Sequence, residues 1–174
     1  MKKISLLLLS LGLFFSASAT AKPKSGDRYG DWVYQCAKQN EKSPEVCHIS
    51  QNLTYKKDNK PLLNIAIGEL VGSNAATGKG KEVVVVVLRL GILLTAGVEL
   101  KIGEGKGTLH PIQWCLANGC HSYVELTTEL LSLMKKGNTL NVTFQNPKQQ
   151  KVTIPVSLKG FTKAYNTLKF LRKN

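Results

Sequence analysis

Four cysteines and three histidines are the residues of this chain best equipped for chemistry. Cys36 and Cys47 flank the polar run AKQNEKSPEV, and Cys115 and Cys120 flank Leu-Ala-Asn-Gly. His48 and His121 each follow a cysteine directly, and His110 lies near the second pair. Thiolates and imidazoles together can bind zinc, but neither pair has the C-x-x-C spacing of a zinc knuckle. Disulfides are the better match for a chain bound for an oxidising compartment. Of the three connectivities, the local one is favoured: Cys36–Cys47 with Cys115–Cys120. Asn118-Gly119 is a strong turn signal that sets the second pair at the base of a tight loop. By loop length the two bonds contribute about 3 and about 2 kcal/mol. The four-residue gap also departs from the C-x-x-C of thiol oxidoreductases.

Other constellations fall short of a catalytic pattern. Gly72 to Lys79 superficially matches a phosphate-binding loop, but five residues separate its glycines, and Gly80 stands where a magnesium-holding hydroxyl belongs. Gly103, Gly105 and Gly107 read as a turn between strands. No H-E-x-x-H, nucleophile-elbow or EF-hand pattern occurs. Trp32 and Trp114 could stack a ligand, though packing in the core or on a sheet near the disulfides is the plainer role. No catalytic residue, metal site or cofactor is therefore assigned.

Charge is the broader signal. The chain carries 24 Lys and Arg against 11 Asp and Glu, a formal net charge of +13. Residues 1–21 read as a cleaved signal peptide: Lys2 and Lys3, an apolar run, then small residues at Ala19 and Ala21. Losing them leaves the mature chain strongly basic. Arginine occurs only at Arg28, Arg89 and Arg172, so lysine supplies a diffuse positive field rather than bidentate recognition. Lys56, Lys57, Lys60, Lys79 and Lys81 are the candidate basic face. An anionic glycan or lipopolysaccharide is the expected partner, or else an envelope protein, and no specific nucleic acid is. A solvated surface with no dedicated ligand is the plainer alternative.

The elements that must position these groups are mostly strands. Residues 22–28 read as a flexible basic arm, and 29–174 as a single disulfide-stapled domain. Trp32, Tyr34 and Cys36 share a strand face; Cys47, Ile49, Leu53 and Tyr55 share another, with Gln51 the exception. Lys56 to Lys60 makes a hairpin turn into Leu63–Ile67, and Gly72 to Lys81 a mobile connection. Val83 to Val87 is five β-branched residues in a row, expected to be a strand buried on both faces. It is too short to span a membrane, and Arg89 interrupts it; no transmembrane segment is expected after leader cleavage. Val98, Leu100 and Ile102 alternate with polar residues, and Leu109 to Trp114 reads as one return strand.

Thr127 caps a helix ending at Gly137. Two further strands follow, with inward sets Leu140, Val142, Phe144 and Val152, Ile154, Val156. A last amphipathic helix carries Phe161, Ala164, Tyr165, Leu168 and Leu171, better suited to capping the domain than to lying on a membrane. Eight or nine short strands with one or two late helices predict a mainly β protein, an antiparallel β-sandwich.

Several segments in this order resemble the invasion-associated locus B family of exported bacterial proteins. They are Gly30-Asp31-Trp32 leading to Cys36; Cys47 leading into Ile49-Ser50-Gln51; Ala96-Gly97-Val98; Cys115-Leu-Ala-Asn-Gly-Cys120; and Ser157-Leu158-Lys159-Gly160-Phe161 followed by Ala164. Thr95 stands where members commonly have proline. The resemblance implies an immunoglobulin-like sandwich, a periplasmic or outer-surface location, and association with host-cell invasion and stress survival. It carries no catalytic residues. The expectation is a non-enzymatic exported binding protein, or alternatively a structural or stress-protective periplasmic factor docked on another envelope protein through an apolar edge.

Overall fold

The computed structural model describes residues 22–38, 40–43, 45–70 and 80–173. The expected signal peptide at 1–21, Lys79 and nearly all of the connection from Gly72 lie outside them. In chain order the strands are β1 (Arg28–Tyr29), β2 (Trp32–Ala37), β3 (Val46–Thr54), β4 (Pro61–Leu70), β5 (Lys81–Leu88), β6 (Val98–Ile102), β7 (Thr108–His110), β8 (Trp114–Leu116) and β9 (Gly119–Glu125). Helix α1 (Thr128–Lys136), β10 (Thr139–Gln145), β11 (Lys151–Ser157) and helix α2 (Phe161–Lys173) complete it. They form two antiparallel sheets, ordered β1-β2-β3-β4-β5-β9-β8 and β11-β10-β6-β7. This is the β-sandwich the strand pattern predicts.

Alternation decides what faces in. Trp32 and Tyr34, Ile49, Leu63, Ile65 and Ile67, then Val84, Val86 and Leu88 line the inner face of the large sheet. Val98, Leu100, Leu140, Val142, Ile154 and Val156 oppose them from the small one. The valine run corrects one expectation. Val83 is buried on the outer side, but Val85 and Val87 are only half-buried, because the small sheet covers one face of the large sheet and not the other.

One further expectation is revised. The return strand Leu109–Trp114 is split: β7 pairs with β6 in the small sheet, and β8 with β9 in the large one. Pro111 lies between them and has no N–H to continue a ladder; its carbonyl accepts from the Ser122 hydroxyl at 2.8 Å. The arm at 22–28 is held at its second half, where Gly26 N donates to Tyr34 O at 2.7 Å and Tyr34 N donates to Asp27 O at 2.9 Å.

The helices close the open ends. Thr127 accepts from Leu130 N at 3.2 Å through its hydroxyl, satisfying one of the free donors of α1, whose Met134 is fully buried. Helix α2 packs on β1, β2 and β3. Phe161, Ala164, Tyr165 and Leu168 enter the core there, and the Phe161 ring meets Trp32 edge-on at 5.2 Å.

A seam joins the start of the domain to its end. Trp32 Nε1 donates to Ser157 O at 3.1 Å, and Gln51 Nε2 donates to the same carbonyl at 2.6 Å. Gln51, the polar exception on its strand face, thus meets its hydrogen-bonding need inside the core. Asp31 N donates to Lys159 O at 3.1 Å. Gly160 has φ +83°, and a Cβ there would fall on the Tyr29 carbonyl, so the approach of the two segments requires glycine. Gly30-Asp31-Trp32 and Ser157 to Phe161 are therefore one structural unit.

A basic cleft and the ring row beside it

The β3–β4–β5 meander gathers one end of the large sheet. Leu53 pairs with Leu63, and Leu63 with Leu88, so Tyr55, Pro61 and Arg89 continue from the same edge. Tyr55, Lys57, Asp58, Lys60, Arg89 and Asn118 line a cleft of about 690 Å³. That volume lies within the range of small-molecule sites. Arg89 Nη1 donates to the Tyr55 hydroxyl at 2.8 Å, and its guanidinium lies over the Tyr55 ring at 5.5 Å. Among the described residues Arg89 has no carboxylate partner. Lys60 pairs with Asp58 at 3.1 Å, but both are well exposed, so this contact is weak. Three cations thus face one carboxylate.

A second cleft, about 480 Å³, lies beside the Cys36–Cys47 disulfide and includes Tyr34, Glu45, Glu69 and Arg172. Its arginine is already engaged. Arg172 Nη1 meets Glu82 at 2.8 Å and Glu69 at 3.9 Å, while Nη2 donates to Cys47 O at 3.4 Å. Glu82 also accepts from the Tyr165 hydroxyl at 2.8 Å and from Lys169 at 3.2 Å. Burial, and then the Glu82 carboxylate, push the Tyr165 phenol far above its ordinary range. This cluster fastens α2 to the start of β5.

The expected basic face is divided. Lys57 and Lys60 line the first cleft, and Lys56 is exposed on the same turn. Lys81 opens β5 at the opposite end of the strand from Arg89, where it pairs with Glu125 at 3.7 Å. Lys79 lies outside the described residues. Sequence reasoning missed Tyr55 and Arg89 as site residues. The available signal was a lone arginine directly after the most apolar strand of an arginine-poor chain.

The cysteines are joined as Cys36–Cys47 and Cys115–Cys120. Glu45 brings a carboxylate beside the first pair, but both sulfurs there are bonded to each other and offer no thiolate. The second bond closes the loop that carries Ala117 and Asn118 into the cleft. The three histidines stand on three different strands: His48 on β3, His110 on β7, His121 on β9. Burial lowers the pKa of His48 and of His110, and His110 Nε2 lies 2.8 Å from the Thr108 hydroxyl.

His121 belongs to a ring row on the outer face. Its ring lies 6.0 Å from Trp114 and 6.5 Å from Tyr123, both at 18°, and Trp114 lies 5.0 Å from Tyr123. Its Nε2 is 3.2 Å from Asn118 Oδ1, which links the row to the cleft. Trp114 ends the row on the edge strand and is 46% exposed, whereas Trp32 is wholly buried. The two tryptophans therefore divide between core and surface.

A two-sheet antiparallel sandwich, closed by a C-terminal helix and pinned by two local disulfides, defines the structural class. Residues 32–169 match the Invasion associated locus B (IalB) protein family, and the chain belongs to that family. Its fold is similar to the crystal structure of invasion associated protein B from Bartonella henselae, with TM-score 0.70 over 84% of this chain and 96% of that chain at 21% identity. Among curated proteins none matches.

Proposed function

We propose that this invasion-associated family member is an exported, non-enzymatic protein that binds an anionic component of the bacterial envelope or of a host surface. Arg89 carries the reading: it is held against Tyr55 beside Lys57 and Lys60 without a carboxylate of its own among the described residues. A guanidinium in that position meets a sulfate, carboxylate or phosphate more readily than one already paired. Export rests on the leader pattern of residues 1–21 and agrees with two disulfides. No helix among the described residues is long and apolar enough to cross a membrane.

Mature, oxidised protein would be titrated with heparin-like glycan, lipopolysaccharide and anionic vesicles at low and physiological salt. Binding to at least one should weaken steeply with salt, since exposed charges are screened beyond about 8 Å at physiological ionic strength. Arg89→Ala should weaken it further without moving the melting temperature. Salt-insensitive binding, or none, overturns the electrostatic reading.

A second reading has the open edge of the sandwich in its favour. Leu109 and Leu116, on edge strands β7 and β8, are 70% and 56% exposed, and unpaired apolar edges invite another chain. On that reading the protein is a structural or stress-protective factor docked on an envelope protein. A stoichiometric cross-linked partner, lost on Leu116→Lys, would support it; a clean monomer would count against it.

A further inference from the structure

We infer that the Arg89 cleft and Trp114 form one extended site for an acidic oligosaccharide, with a sugar ring against the indole and its carboxylate or sulfate at Arg89. This rests on the cleft reading above and adds the chemical class of the ligand.

Trp114 is placed to meet a ring. It lies on the outer face of an edge strand with no strand beyond it among the described residues, nearly half exposed, and Tyr123 and His121 brace it from within the sheet. The Gln113 side chain fixes the backbone beside it, accepting from Tyr123 N at 2.9 Å and donating to Tyr123 O at 3.3 Å. The indole is thus preorganised, and binding loses little side-chain freedom there. The C–H face of a pyranose carries partial positive charge and complements the negative face of an indole.

The anionic and stacking parts are continuous. Asn118 lines the cleft and contacts His121, which lies against Trp114. Val87 pairs with His121, and His121 with Trp114; Arg89 follows two residues after Val87. Two strand steps across and two residues along put Arg89 and Trp114 roughly 12 Å apart at the backbone. That span fits a short oligosaccharide rather than one sugar.

The same outer row continues from His121 through Val87 to Asn64, whose amide donates to Asn52 Oδ1 at 2.7 Å. Asn64 stands three strand steps from Trp114, roughly 14 Å away, so its amide offers donors and acceptors to sugar hydroxyls farther along the oligosaccharide rather than at the ring. A lipid phosphate would satisfy Arg89 but would make no use of a braced ring and an amide row. The observations therefore favour a glycan over a membrane surface.

The experiment uses oxidised mature protein and three probes: a heparin-derived octasaccharide, its desulfated counterpart, and phosphatidylglycerol vesicles without sugar. Calorimetry gives affinity, and acrylamide quenching of the one exposed tryptophan reports stacking. The sulfated octasaccharide should bind best and shield Trp114. Trp114→Ala should weaken it about five- to tenfold, Trp114→Tyr should recover most of that, and Arg89→Ala should remove the preference for sulfate. Unchanged melting temperatures confirm that the variants fold.

If Arg89→Ala abolishes binding while Trp114→Ala leaves it intact, the cleft reading survives and the oligosaccharide inference falls. Vesicles binding more tightly than the octasaccharide, in a Trp114-dependent way, would overturn it in favour of a lipid surface. If no acidic probe binds and Arg89→Ala changes nothing, both readings fall.

Discussion

Arg172 and Arg89 stand at opposite ends of β5, each near a tyrosine and a disulfide, and their surroundings differ in one decisive respect. Arg172 meets two carboxylates, Glu82 and Glu69, while the Tyr165 hydroxyl and Lys169 converge on the same Glu82. Arg89 meets a phenol hydroxyl. A charge satisfied by carboxylates holds the fold together; a charge oriented by a phenol, with no carboxylate partner among the described residues, is the one proposed to meet an anion from outside. The second disulfide loop brings Asn118 to the open site, whereas the first lies beside the closed one. On the proposed reading, structure and recognition are divided between the two ends of the strand.

The comparison breaks most sharply at Glu82. Glu82→Ala removes the shared acceptor and leaves Arg172, Lys169 and the Tyr165 hydroxyl without it in a partly buried setting. Urea unfolding should show a loss of about 3 kcal/mol. Anion binding per folded molecule should be unchanged, because the cleft is at the other end of β5. A binding loss as large as the stability loss would show that the ends are coupled.

The disulfides give the next contrast. Replacing Cys115 and Cys120 with alanine opens the shorter loop and should cost about 2 kcal/mol. It should also weaken ligand binding, because Ala117 and Asn118 lose their anchor. Replacing Cys36 and Cys47 should cost about 3 kcal/mol and leave binding alone. The less destabilising change should thus be the more damaging to recognition, and the reverse ranking would place the site elsewhere.

What could be read from residues alone follows the same division. The period-two runs from Trp32 to Val156 disclosed the sandwich, because burial imprints its alternation on each strand whatever its partners are. Gly30-Asp31-Trp32 and Ser157 to Phe161 marked the family, and in the structure they prove to be one seam of hydrogen bonds and ring contacts. The site was less legible. Tyr55 and Arg89 are 34 residues apart and meet only through the register of β3, β4 and β5. Lys79 and Lys81 were grouped with Lys56, Lys57 and Lys60 by charge, yet β5 carries Lys81 to the far end. The split at Pro111, which sets Trp114 in the large sheet, depends on which partner strand is nearer, and that is a tertiary fact.

Alkaline pH tests the closed end more gently. The folded state raises the Tyr165 phenol above its ordinary value, chiefly through burial and then through Glu82. The neutral phenol is the form the fold favours, so its contribution is fully present below about pH 10, the unfolded value, and is lost as pH rises toward the folded one. The stability gap between the wild type and Tyr165→Phe should be constant up to about pH 10 and then narrow. A gap that stays constant to higher pH would mean that the hydroxyl is not coupled to folding.

The finest test separates lysines of equal charge by place. Lys57→Ala and Lys60→Ala each remove a cation from the cleft, and Lys81→Ala removes one from the other end of β5. All three change net charge by the same amount, so a diffuse field predicts the same small loss of anion affinity from each. A cleft that binds locally predicts a loss of about two- to fivefold at Lys57 and Lys60, corresponding to about 0.4–1 kcal/mol, and almost none at Lys81. Because the exposed lysines contribute little to folding, melting temperatures should barely move. Equal losses at all three positions would return the positive charge to a general surface property; unequal ones would assign it to the end of the sheet where Arg89 stands open.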